Sequence, residues 1–380
     1  MRIYLFLGAL LLALASSAQD CNVESLLQKP GTWEETSGSI SGITSADLAR
    51  EKKVESLINS MIKSKYSPMG LKIKFGGAYE SSYPFMPVNS YYYHIMAFQF
   101  YCEENKIKTV TESATTFQVY VNKFDVDVYD TAQGNRAVAE GFNVIHELPV
   151  EKDGYWYFMD KDSNLGFGMS GKSSSWLITY DGKLPFAFVT RKEFLEKNKK
   201  NLTNSMHDAA KGFKDILKNL EMEKGLEEVE YKNDPEKLAK YLRGYNYTKG
   251  RYENFLADNE KNYKPEFDKI EKQLKMSPEE LNQKAIVRLD PNANLAASYL
   301  FTDDKDPFCE ILIKPNPGYF NTKLPRSSPQ FIWVNVIWNH NEPITSKFRE
   351  DIMKAVDFAG LKNMLGKSEI GNKITINQLK

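Results

Sequence analysis

Cysteine and histidine are both scarce in this chain of 380 residues, and the two scarcities exclude different things. Three cysteines, Cys21, Cys102 and Cys309, permit at most one internal disulfide and leave one thiol over, too few for a fold stapled by bridges. Nothing in their spacing selects the pair, although Cys102 with Cys309 would tie the first half of the chain to the last. The four histidines, His94, His146, His207 and His340, stand apart, with none at helical i, i+4 spacing and none beside a cysteine. A zinc centre of standard type is therefore not expected. No Gly-x-Ser-x-Gly elbow is present to nominate a serine nucleophile. Charge of one sign is lacking as well, because 50 Lys+Arg balance 50 Asp+Glu. Recruitment by overall charge, whether of nucleic acid or of an anionic membrane surface, is not implied.

Long apolar runs are missing too, with one exception. Met1-Arg2 is followed by the nearly unbroken apolar stretch Ile3 to Ala15 and by the small residues Ser16-Ser17-Ala18. This is the pattern of a secretory signal peptide, too short to span a bilayer, and it predicts cleavage near residue 19. Cys21 follows Gln19-Asp20 rather than the small or apolar pair that lipid attachment to a cysteine uses. The mature chain is thus expected to be secreted or periplasmic, with no membrane span after cleavage. Its length exceeds what one simple core usually holds.

What is present falls into blocks: a signal peptide (1–19), an N-terminal helix with an antiparallel β unit (20–190), a charged helical segment or insertion (191–285) and a C-terminal β/α unit (286–380). Thr44 and Asp47 mark a helix start, and Val54, Leu57, Ile58, Met61 and Ile62 continue at helical spacing. From Leu71 the period becomes two, in Leu71, Ile73 and Phe75 and again in Phe117, Val119 and Val121, which predicts half-buried antiparallel strands. Asp181-Gly182 reads as a hairpin turn between strands at 176–180 and 184–190, with Pro185 placing the second at a sheet edge or itself at an early strand position. Thr190 and Glu193 form a capping box that opens a region where 40 of the 95 residues 191–285 are charged. There Met206, Ala209, Ala210, Phe213, Ile216, Leu217 and Leu220 make one helical stripe, and Asp234-Pro235 and Ser277-Pro278 open further helices. Short strands return after Lys284, and a last helix is expected from Ser346 to about Leu365. Strands and helices that segregate in this way predict an α+β fold, with antiparallel sheets and a highly charged multi-helix segment in the middle of the chain.

Several patterns touch on chemistry. Gly166 to Ser173 satisfies the phosphate-loop spacing, but the residues that follow read as a strand where that loop requires a helix, so no nucleotide cofactor is implied. Asp160, Asp162 and Asn164 alternate like the first ligands of a calcium loop, although Leu165 stands where the turn needs glycine. They are the metal candidates. Cys102 lies on a strand pattern that suits a buried thiol or half-cystine. Asn201-Leu202-Thr203 and Asn246-Tyr247-Thr248 fit the N-glycosylation pattern.

The positive signal is aromatic. Tyr91-Tyr92-Tyr93, Tyr155-Trp156-Tyr157, Trp176, Trp333 and Trp338 lie in or beside strand patterns, where alternation turns about half of them to one side of a sheet. Gly154 to Phe158 resembles a single cell-wall choline-binding repeat; that family uses many tandem copies where this chain has one, and no function is carried over. Tyr155, Trp156, Tyr157 and Trp176 are the ligand-binding candidates, since such rings stack on sugars or on peptide side chains. The alternative is that the rings fill the core. Two functions remain open: a non-catalytic binding or interaction protein whose partner is an envelope or extracellular protein or a glycan, and a secreted hydrolase of peptide or polysaccharide whose carboxylates only the fold assembles.

Overall fold

A computed structural model describes residues 21–80, 87–124, 142–145, 147–165, 170–180, 182–289 and 299–368. The fold is α+β with antiparallel sheets. The chain divides into two compact units, the first drawn from Met1–Tyr129, Glu147–Ala187 and Pro315–Lys380, the second from Asp130–His146 and Phe188–Lys314.

In the first unit a short capped helix, α1 (Val23–Leu27), precedes two brief strands, β1 (Thr32–Glu35) and β2 (Ser39–Ser41). Thr44 then caps α2 (Ser45–Lys63), its hydroxyl accepting from the Asp47 amide as the sequence predicts. Next come β3 (Leu71–Glu80), β4 (Ser90–Glu103), β5 (Lys106–Thr109) and β6 (Thr116–Val121). A ten-stranded sheet forms when these are joined by β8 (Val150–Lys152), β9 (Tyr155–Asn164), β10 (Ser170–Ile178) and β15 (Ile332–Trp338), in the order β1-β3-β4-β6-β15-β10-β9-β8. β5 pairs with β4, and β1 and β2 both run parallel to β3.

Val54, Ile58 and Ile62 of α2 pack on one face of this sheet with Ile73, Phe75, Tyr93, Ile95, Phe117 and Val334. Phe348 and Ile352 of α7 (Pro343–Ala355) join the same core. Each such side chain, fully buried, contributes about 1.5–3 kcal/mol. On β3 the expected alternation holds, with Lys72 and Lys74 only half buried. The central strands differ: Tyr120, Trp333 and Phe158 are buried on the opposite face as well. There the Trp333 indole stacks on Phe158 at 4.7 Å and meets Phe124 edge-on at 6.0 Å, a second layer of rings that no alternation pattern foretells.

The open question of the cysteines has a definite answer. Cys21 bonds to Cys102 of β4, with Cα atoms 5.6 Å apart, and Cys309 is a buried thiol. The expected hairpin at Asp181-Gly182 does not form. β10 pairs with β9 and β15, whereas β11 (Phe186–Phe188) belongs to a different sheet, because β10 is already flanked on both sides. Gly182 uses its left-handed conformation, φ +67°, in a connection instead. The last helix is likewise two: α7 begins at Pro343, extended backbone at Val356 ends it, and Asp357 caps α8 (Phe358–Met364) by accepting from the Gly360 amide at 2.8 Å.

The second unit carries the five-stranded sheet, in the order β11-β14-β12-β13, built with β12 (Ile286–Leu289), β13 (Tyr299–Phe301) and β14 (Glu310–Pro315), while β7 (Asn143–Ile145) pairs with β14. The Thr190–Glu193 capping box opens α3 (Arg191–Glu230), 40 residues long. α4 (Pro235–Ala257), α5 (Asn259–Gln273) and the single turn α6 (Pro278–Leu281) follow. Only Phe194 and Leu195 of α3 are buried, at its start, where they meet Val144, Ile270, Val287 and Leu312. No described helix is long and apolar enough to cross a membrane.

Candidate functional site

The four aromatic candidates do not act as a set. In the β9–β10 register Tyr157 lies opposite Trp176, and Trp156 lies opposite Leu177. Alternation therefore places Tyr155, Tyr157 and Trp176 on one face and Trp156 on the other. The three rings come together through Phe358 of α8: Tyr157 is 5.4 Å from Trp176, and Phe358 is 5.9 Å from Trp176 and 5.2 Å from Tyr155. All four candidates are half buried. Lys362 and Lys152 lie over the Tyr155 and Tyr157 rings at 5.4 and 5.6 Å.

Asp160, Asp162 and Asn164 lie along strand β9. Asp162 is exposed and accepts from Lys172 at 2.6 Å, a hydrogen bond and charge that hold its carboxyl below the usual range. The side chains of Asp160 and Asn164, and residues 166–169 of the glycine-rich stretch, lie outside the described residues. The chain that follows that stretch is strand β10. Among the described residues no group of three or more His, Cys, Asp or Glu is placed to hold a metal ion.

A cleft that single-residue patterns do not point to lies between α2 and the β1–β3 edge of the sheet. Asp47, Glu51 and Glu55 stand at i, i+4 and i+8 on α2, so all three fall on one helix face. Asp47, in the first turn of the helix, accepts from the Thr44 hydroxyl at 2.8 Å, from Ser327 at 2.7 Å and from Arg50 at 3.3 Å. Glu51 has no exposed surface and accepts at one oxygen from Asn89, at 3.2 Å, while its other oxygen has no partner among the described residues. Burial pushes the Glu51 carboxyl up to about 8, opposed by the Asn89 hydrogen bond and reinforced by the charge of Asp47.

Glu55 opens into the cleft, which has a volume of about 430 Å³ and is lined by Glu35, Thr36, Lys52, Glu55, Ser56, Asn59 and Tyr79 among others. The Tyr79 hydroxyl donates to the Glu55 carboxylate, and the Tyr93 hydroxyl donates to Asn59 at 3.2 Å. Burial raises the Glu55 carboxyl above its ordinary range; the Tyr79 hydrogen bond opposes this, and the nearby charge of Glu35 adds to it. Two glycines of β3 make the room. A Cβ on Gly77 would come within 2.8 Å of the Tyr79 hydroxyl and 2.9 Å of the Glu55 carboxyl carbon, and one on Gly76 within 2.5 Å of the Thr36 hydroxyl. Thr36 is held there by donating to the Phe75 carbonyl from both its amide, at 2.8 Å, and its hydroxyl, at 3.0 Å.

The cleft thus presents two carboxyl groups, an amide, four hydroxyls (Thr36, Ser37, Ser56 and Tyr79) and an ammonium around the paired glycines of β3. One carboxyl, Glu55, keeps its proton to higher pH than usual, so it can donate a hydrogen bond or a proton as well as accept one. No family model matches this chain, and no curated protein or solved structure is found similar to it.

Proposed function

We propose that the protein is an extracytoplasmic, non-catalytic binding protein whose α2–β3 cleft takes a small polyhydroxylated ligand, a glycan or a fragment of one. The observation that carries this reading is the Tyr79–Glu55 pair seated over Gly77 in a cleft whose other groups both donate and accept hydrogen bonds. Hydroxyl-rich ligands need that mixture, because each hydroxyl is donor and acceptor at once. The rim residues Glu35, Ser37, Lys52 and Ser56 are exposed, so the site does not shut out water, which suits exchange of ligand better than chemistry on it. The signal-peptide pattern and the Cys21–Cys102 disulfide support an oxidising compartment outside the cytosol. Tyr155, Tyr157 and Trp176 offer the same ligand class a second, stacking contact.

The test is isothermal titration of the mature chain with neutral and amino oligosaccharides, repeated with Glu55→Gln and Tyr79→Phe. Binding that either substitution weakens supports the cleft as the site. Binding that survives both, or that only Trp176→Ala removes, places the ligand elsewhere.

A second reading, hydrolysis of a polysaccharide, is favoured by one specific feature: Glu35 shares the cleft with Glu55, and a carboxyl pair in unequal environments is the usual arrangement for glycosidic cleavage. Turnover of oligosaccharides that is abolished by Glu55→Gln and by Glu35→Gln alike would replace the binding reading with this one.

A further inference from the structure

The outer end of α3 carries an apolar stripe that no described residue of its own unit covers. Met222, Leu226 and Val229 follow one another at i, i+4 and i+7, one face of the helix, and are 62%, 72% and 75% exposed. The residues that attach α3 to α4 lie on other faces. Glu221 accepts from Tyr245 at 2.5 Å and from Lys249 at 2.6 Å, and Leu220 lines the groove shared with Tyr241 and Tyr245. On a helix whose other outward positions are charged, polar or glycine, three large apolar side chains in line over two turns form a surface for contact rather than scattered exposure.

The surrounding charges select what would cover it. Residues 221–230 hold five glutamates, Glu221, Glu223, Glu227, Glu228 and Glu230, against one cation, Lys224. Glu221 is satisfied by Lys249, and Glu228 by Lys224 at 3.6 Å. Glu223, Glu227 and Glu230 make no ion pair among the described residues; helical spacing sets Glu223 and Glu230 along one side of the stripe, while Glu227 lies further round the helix and bonds to Tyr231. A second copy of the chain would bring these same carboxylates face to face, and an anionic lipid surface would meet them with like charge, so both are disfavoured.

We infer that this end of α3 docks an amphipathic helix of a partner protein, one with apolar side chains at i, i+4 and i+7 and lysines or arginines beside them. The inference is independent of the cleft described above.

The test uses the full mature chain and two labelled peptides of about 18 residues, long enough to be helical. One carries leucines on a single face flanked by lysines; the other has the same composition in scrambled order. Fluorescence anisotropy at physiological ionic strength should show the patterned peptide binding at least about tenfold more tightly than the scrambled one, about 1.4 kcal/mol. Leu226→Lys should remove that advantage, and Glu223→Gln with Glu230→Gln should weaken binding and flatten its salt dependence. All three positions are exposed, and unchanged circular dichroism and melting would show the fold intact. Equal affinity for the two peptides, no binding, or binding indifferent to Leu226→Lys would overturn the proposal. So would a concentration-dependent dimer that Leu226→Lys dissolves, which gives the stripe to a second copy, or adsorption to anionic vesicles that the same substitution abolishes.

Discussion

The Tyr79 hydroxyl donates to the Glu55 carboxylate directly above Gly77, and a single methyl group at position 77 would touch both partners at once. The strand, the helix and the glycine thereby define one object, a carboxyl group held in a fixed orientation at the floor of a cleft.

Gly77→Ala follows from that contact. The new Cβ would lie 2.8 Å from the Tyr79 hydroxyl and 2.9 Å from the Glu55 carboxyl carbon, well inside contact distance. Both contacts are to the far ends of side chains, so the pair must shift together or part. The expected cost is about 1–3 kcal/mol of folding stability, from overpacking, together with loss of ligand binding in the cleft. Urea unfolding of the variant checks the first, and wild-type stability in Gly77→Ala would show that the pair has slack. Gly154→Ala is a useful comparison, since there the methyl meets nothing within 4 Å and only the left-handed backbone, φ +78°, resists it.

The buried Glu51 makes stability depend on pH in a direction opposite to that of ordinary salt-bridged carboxylates. Burial pushes its pKa up to about 8 in the folded chain, from an ordinary value of 4.5. Between those limits the folded state keeps a proton that the unfolded state has released. Stability is therefore greatest below the lower value and declines as pH rises through the window, by about 1.4 kcal/mol per pH unit from this one group. Glu51→Gln keeps the hydrogen-bonding shape without the titration. Relative to wild type it should gain stability steadily from pH 5 to about 8 and be closest to it under acid conditions. Parallel curves for the two proteins across that range would show that Glu51 titrates normally.

The contrast between what was legible and what was not is clear on α2. Its start at Thr44, its apolar face and the strands that follow are all local patterns, as is the capping box at Thr190 and Glu193. The row Asp47, Glu51, Glu55 is equally visible as a spacing. On a charged helix, though, such a row usually faces water, and only packing against Tyr79, Tyr91 and Asn89 turns it inward. The cleft is assembled from residues 35–40, 52–59 and 75–79, which no window along the chain brings together. The disulfide and the missing hairpin fail for the same reason: strand partners across a ten-stranded sheet are chosen by the whole sheet.

The Cys21–Cys102 bond closes a loop of 81 residues and should contribute about 2–5 kcal/mol, mostly by restricting the unfolded chain. Cys21→Ser with Cys102→Ser is expected to lower the thermal midpoint by an amount of that order while the native far-UV spectrum is retained. Thiol titration of the oxidised protein should find Cys309 alone, and only after unfolding, since it is buried. A reactive thiol in the native state, or two or more thiols after unfolding without reductant, would contradict the pairing.

Asn122 is the position where one substitution should do the most damage to the first unit. It is fully buried at the end of β6 with φ +55°, a left-handed conformation that asparagine tolerates better than most residues. Its side-chain amide donates to the Asn89 carbonyl at 3.1 Å and the Ser328 carbonyl at 2.9 Å. Its side-chain oxygen accepts from the amides of Gln330 at 2.7 Å and Phe331 at 3.3 Å. One residue thus satisfies backbone groups of the segments entering β4 and β15, and without it each of those groups is left buried and unpaired, at about 1–3 kcal/mol apiece. Asn122→Gly loses the hydrogen bonds but keeps the backbone comfortable; Asn122→Ala loses both. The two should be destabilised by several kcal/mol, with alanine worse than glycine by about 1–2 kcal/mol, the penalty for a Cβ in the left-handed region. Equal stabilities for the two variants would remove backbone conformation from the account. A loss under about 1 kcal/mol for both would mean that water replaces the asparagine, and that the junction of β4, β6 and β15 is wetter than its burial implies.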